Sequence, residues 1–215
     1  MTTVTHAAAP VRILRFDRVQ RAAHWANAIL FGILMVTALF LYFGSIAGFV
    51  VQRHLAAQIH LWAGLSLPVP LLVSMLGPWG ARMRRDVRRI NLWTRDEIRW
   101  LRTLGRTPLV ADKFNPGQKL NAIFIGTTIV VMLATGSVMQ WFGHFPVSWR
   151  TGATFVHDVV AFTVFVVVFG HIAFAVTHRD SLRSIFKGWV TESWAARHAA
   201  GWLKEREASP SGPEP

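Results

Sequence analysis

Charged side chains vanish from this chain over residues 22–51, 55–80 and 120–142, and a fourth apolar run, 159–175, reads VVAFTVFVVVFGHIAFA. About 20 apolar residues in a helix span the hydrocarbon of a bilayer, so the pattern predicts transmembrane helices at about 22–45, 55–77, 120–142 and 153–177. Pro68 and Pro70 fall midway along the second and predict a kink there. The connection 81–119 is polar but carries helix signals: Thr94 with Glu97 as a capping box, Ile98, Leu101 and Leu104 at helical spacing, and Gly105 where a C-terminal cap belongs. A short interfacial helix, with Trp93 and Trp100 near the headgroups, accounts for these residues. Beyond the fourth run a basic amphipathic tail continues to about Arg206, and 207–215 is read as flexible. The expectation is one domain over 1–206: an all-α, integral membrane four-helix bundle.

Charge fixes the expected orientation. Lys and Arg number four before the first run, eleven in the 81–119 connection and six after the fourth run, against only Arg53 and Arg150 in the two other connections. With four spans the basic segments share one side, and the positive-inside rule places both termini in the cytoplasm of a multi-pass protein of the cell membrane. The net charge of +12 is thereby explained by a lipid setting, without nucleic acid as a partner. The residues ahead of the first run offer no apolar core of a signal peptide, so the first span is expected to stay in the mature protein. Cysteine is absent, which excludes disulfides, thiolate zinc sites, cysteine-held iron–sulfur clusters and covalently attached haem.

Histidine then changes the picture. His157 and His171 lie 14 residues apart in the fourth run, a rise of about 21 Å with the two rings within about 40° of one face. A titratable ring at membrane depth is costly unless it has a task. Helix polarity places His24 at the same depth as His171, near the cytoplasmic surface, and His60 level with His157, near the outer one. Each pair supplies two neutral imidazoles, the axial ligand set of a haem iron with no open position. The expected function is electron transfer between two haem b groups stacked across the bilayer. His24 stands slightly nearer its surface than His171, a mismatch that helix tilt absorbs. His6, His54, His144, His178 and His198 fall in tails, connections or membrane edges and suit surface roles, with His54 and His178 the strongest competitors. Two other readings stay open: a haem-free transporter or proton relay through His157, Asp158 and His171, and a membrane anchor that carries no electrons.

The segments RFDRVQRAAHW (15–25), KFNPGQK (113–119) and SIFKGWVTESWAARH (184–198), with the paired His157 and His171, resemble the gamma subunit of membrane-bound formate dehydrogenase. That family is a four-helix dihaem cytochrome b of the cytochrome b561-like superfamily, and the resemblance covers about residues 12–204. It implies a catalytic molybdenum or tungsten formate dehydrogenase subunit and an iron–sulfur subunit as partners, with a higher oligomer of the complex left open. It also implies that His60 and His157 hold the outer haem and His24 and His171 the inner one. A quinone, menaquinone or ubiquinone, is implied beside the inner haem, where Asn115 and Gly117 match the quinone-contacting positions and His171 lies close by. An amide and an open backbone group suit quinone oxygens, while Asn-Pro-Gly is equally a turn before the third helix. Phe114 departs from a hydroxyl-bearing aromatic, Pro116 from a small residue, and His198 stands alone where two adjacent histidines are familiar. The same kind of cytochrome also serves nickel–iron hydrogenases and other molybdoenzymes, and by itself it carries no substrate chemistry.

Overall fold

The computed structural model describes residues 10–43 and 52–208. His6, Gly44, Gly48 and the stretch 209–215 of the expected flexible tail lie outside the described residues, whereas 207–208 close a helix. Among the described residues four helices are long and apolar enough to cross a membrane: Arg18–Tyr42, Arg53–Ser74, Pro116–Gln140 and Val147–Thr177. The chain is an integral membrane helical bundle.

The first span, α1 (Arg18–Tyr42), starts four residues ahead of the hydropathic boundary because polar residues cap it. Asp17 Oδ1 accepts from the Gln20 amide at 2.8 Å, and the Asp17 amide donates back to Gln20 Oε1 at 3.0 Å. Two otherwise orphaned donors are thereby satisfied at the membrane surface. The second span divides into α2 (Arg53–Ser66) and α3 (Val69–Ser74). Proline has no amide to offer, and the Gly64 carbonyl that residue 68 would have served instead accepts from Leu67 N at 3.2 Å.

After a short turn come α4 (Ala81–Asn91) and α5 (Arg95–Arg102). The Thr94–Glu97 capping box is formed, and the chain leaves α5 through Leu104 and Gly105 at positive φ, with Gly105 N donating to Trp100 O at 2.9 Å. The third span, α6 (Pro116–Gln140), has its own box, in which Asn115 and Gln118 exchange bonds of 2.9 and 3.1 Å. The fourth, α7 (Val147–Thr177), begins six residues before the predicted 153, directly after Pro146, so most of the expected loop is helix. α1 packs along α2 and α3, and α6 along α7, giving two helical hairpins.

The basic amphipathic tail is built from short helices and one strand. It folds as α8 (Arg179–Lys187), a strand β2 (Trp189–Thr191), α9 (Glu192–His198) and α10 (Ala200–Ala208). β2 pairs antiparallel with β1 (Arg12–Leu14), Ile13 opposite Val190, so the segments before the first span and after the last are joined. Ile13, Val190, Trp194, Ala195, Ala199 and Trp202 form a buried apolar cluster beneath this ribbon. The three basic segments therefore assemble into one layer at a single end of the bundle. Along the spans the outward faces are bare and apolar, Phe162 being 72% exposed and Val130 67%, a surface suited to lipid tails rather than water.

Candidate functional site

Two pairs of histidines meet between the spans. At the end of the bundle that carries the basic layer, His24 of α1 faces His171 of α7, ring centroids 6.4 Å apart with planes at 53°. Toward the opposite end, His60 of α2 faces His157 of α7, again at 6.4 Å, with planes at 58°. The expected depth mismatch of His24 disappears, because the Asp17 cap moves the start of α1: His24 lies six residues inside Arg18 and His171 six residues before Thr177. Trp25 packs edge-on against His24 at 5.5 Å and meets Phe186 of α8 at 4.7 Å, which ties this level to the basic layer.

The spacing suits one metal between each pair. An imidazole nitrogen binds a first-row transition ion at about 2 Å with its ring centre about 1 Å further back, so two rings opposed across one iron have centroids about 6 Å apart. Both pairs meet this requirement, and the four residues come from three of the spans. Gly136 of α6 lies beside the His157 ring, and a Cβ there would sit 3.4 Å from His157 Cε1, in van der Waals contact.

Two residues at this level have no counterpart in the sequence reading. Thr37 Oγ1 of α1 lies 2.8 Å from His60 Nδ1, and Thr135 Oγ1 of α6 lies 2.9 Å from His157 Nδ1. The only signal was a hydroxyl in each apolar run, which period and hydropathy do not distinguish from lipid-facing threonine. The remaining described histidines are otherwise engaged or exposed. His178 stacks on Phe174 at 3.9 Å and its Nδ1 is 2.9 Å from the Phe174 carbonyl. His198 stacks on Trp194, His144 Nδ1 lies 3.3 Å from the Trp141 carbonyl, and His54 and Asp158 are exposed.

At the basic end, Asn115 spends its side-chain oxygen on the α6 cap, which leaves the Nδ2 amide as its donor to other groups. Gly117 is exposed, and a Cβ there would meet only Asn115 Oδ1, at 3.4 Å. Among the described residues no hydrogen bond or ring contact joins either residue to His171. The segment is braced from behind. Arg15 donates to the Lys113 carbonyl at 3.0 Å, and the Asp86 carboxylate takes bonds from Lys113 Nζ at 2.6 Å and Gln20 Nε2 at 2.5 Å. Desolvation dominates here. Burial raises the Asp86 carboxyl above its ordinary range against the pull of Lys113, lowers Lys113 against the pull of Asp86, and brings Arg15 down to about 10. A second buried pair, Lys119 with Glu97 at 2.6 Å, fixes α5 against the first turns of α6.

Paired imidazoles at two levels among four apolar helices characterise an integral membrane protein with histidines facing one another across its spans. Residues 15–188 match the family described as prokaryotic cytochrome b561, and the chain belongs to that family of membrane electron-transfer haem proteins. It is similar to the formate dehydrogenase cytochrome b556 subunit of Haemophilus influenzae, with 30% identity over 92% of this chain and 85% of the relative. It is also similar to two subunits of Escherichia coli K12 formate dehydrogenases. Identity is 25% to the cytochrome b556(fdo) subunit, over 90% of this chain and 92% of the relative, and 24% to the nitrate-inducible cytochrome b556(Fdn) subunit, over 91% and 92%.

Proposed function

We propose that this chain is the dihaem cytochrome b subunit of a formate dehydrogenase complex and passes electrons from its partners across the cell membrane to quinone. The observation that carries the reading is the matched pair of imidazole–imidazole separations, 6.4 Å at each of two depths. His60 and His157 would hold one haem b and His24 and His171 the other. When bound, each haem would supply a one-electron centre held by two imidazoles. His24, His60 and His157 are half-buried between the spans and His171 is exposed, and large apolar side chains crowd the outward faces.

The family match and the formate dehydrogenase relatives support a catalytic molybdenum or tungsten subunit and an iron–sulfur subunit as partners. The concentration of Lys and Arg at one end supports a cytoplasmic basic layer in the inner cell membrane. On that orientation His60 and His157 lie toward the outer face, where the partners deliver electrons, and His171 lies toward the cytoplasm. There the Asn115 amide donates to a quinone carbonyl, and the open backbone at Gly117 allows the ring to approach closely.

Haem quantification on the purified chain tests this reading. Two haem b per polypeptide are expected. One is lost in either His60→Ala or His157→Ala, and the other in His24→Ala. A folded, haem-supplied chain that binds none, or binds both after those substitutions, overturns the proposal.

A further inference from the structure

The two histidine pairs have the same separation but different surroundings. His60 Nδ1 is 2.8 Å from Thr37 Oγ1, whose hydroxyl is also 2.8 Å from the Ile33 carbonyl one turn back. His157 Nδ1 is 2.9 Å from Thr135 Oγ1, whose hydroxyl is 2.8 Å from the Val131 carbonyl. A hydroxyl has one proton and two lone pairs. In both cases that proton goes to the helix carbonyl, so the oxygen accepts from the imidazole. Nδ1 therefore carries the ring hydrogen, and the Nε2 lone pair is free to bind metal. Each hairpin supplies one such couple, Thr37–His60 from α1 and α2 and Thr135–His157 from α6 and α7. Among the described residues neither His24 nor His171 has a hydroxyl or carboxylate partner.

We infer that Thr37 and Thr135 are positioning residues that fix the tautomer and rotation of His60 and His157 and make this level the lower in potential of the two. The inference rests on the haem reading above. A ligating imidazole that donates its second N–H becomes more basic and holds its orientation. A stronger donor on both sides of the iron favours its ferric form, and donor strength around the site is one of the levers on haem potential. The level at the basic end, whose imidazoles lack that support, is then the better electron acceptor. Electrons arriving at the His60–His157 level move downhill toward His171, which sets a direction of transfer in the fold itself.

Thr37→Val and Thr135→Val in the full-length chain carrying both haems remove the hydroxyl at nearly constant volume. Thr37→Ser and Thr135→Ser keep it. Potentiometric titration is expected to show one of the two haem waves moving to more positive potential in each valine variant and further in the double variant. The serine variants stay at the wild-type position. The wave that moves is the one missing from His157→Ala. Electron paramagnetic resonance of the oxidised valine variants should show an altered signal from that same haem, because its imidazole planes are no longer held. Loss of that haem in valine but not serine variants also supports the role. Unchanged waves with both haems retained overturn it while leaving the haem assignment standing, as does equal loss of haem in serine and valine variants. A chain in which His157→Ala removes no haem fails the underlying reading instead.

Discussion

The Phe16 amide donates to the Gly188 carbonyl at 2.9 Å, and the Arg15 amide shares that acceptor at 2.7 Å. Gly188 ends α8 in the left-handed region, at φ 87°, and a Cβ on it would lie 2.6 Å from the Phe16 carbonyl oxygen. The residue thus joins the chain entering the first span to the chain leaving the fourth. Gly188→Ala should strain the backbone and separate the ribbon, at a cost of about 1–3 kcal/mol. Thermal unfolding in detergent, together with faster proteolysis beyond Lys187, would register the change. Wild-type values on both would refute it.

Lys119 and Glu97 are almost fully buried, and Glu97 also accepts from the Thr94 amide at 2.9 Å to cap α5. Removing the lysine strands a carboxylate, so Lys119→Met should cost about 3–5 kcal/mol. Adding Glu97→Gln, which keeps an acceptor for the cap and drops the charge, should recover most of that loss. Denaturant midpoints of the single and double variants decide the matter, and a double variant no better than the single one contradicts it.

Asp86 has a pH signature. Its carboxyl is raised by burial, so the folded protein binds a proton where an unfolded aspartate has lost it. Stability contributed by this group is complete below its ordinary value of 3.8, falls as pH rises toward the raised folded value, and is flat above that. Asp86→Asn should flatten this interval of the melting-temperature profile. An identical slope in the variant would show that other groups set it.

Asn115 combines a cap with the proposed quinone contact, and two substitutions separate them. Asn115→Ala loses the cap, worth about 1 kcal/mol, and the amide donor together. Asn115→Asp keeps the capping oxygen at a helix N-terminus that favours negative charge, and replaces the donor by a carboxylate oxygen that cannot donate to a quinone carbonyl. The aspartate variant is expected to melt like the wild type yet reduce quinone more slowly in the assembled complex. Full turnover in Asn115→Asp would assign Asn115 to the cap alone.

Much of the bundle is legible in the chain. Long charge-free runs, two prolines and the register of four histidines suffice for four spans, a break in the second and two levels of imidazole. The boundaries were less accessible, because helices extend into polar sequence wherever a side chain satisfies their first amides. Asp17 with Gln20 and Asn115 with Gln118 each move a start four residues outward. The D-x-x-Q and N-x-x-Q signatures at Asp17 and Asn115 are the sequence mark of these two starts.

Sequence alone determines the apolar lengths, the one-sided distribution of charge and the helical phase of His157 and His171, since these depend on composition and on 3.6 residues per turn. Tertiary structure decides what depends on rotation of one helix against another: that Thr37 faces His60, that Thr135 faces His157, and that Asp86 meets Lys113 and Gln20. Packing also decides the ribbon between Arg12–Leu14 and Trp189–Thr191. Strands of three residues have too few alternating positions to announce themselves, and here Ile13 and Val190 are buried in one cluster with Trp194 and Trp202.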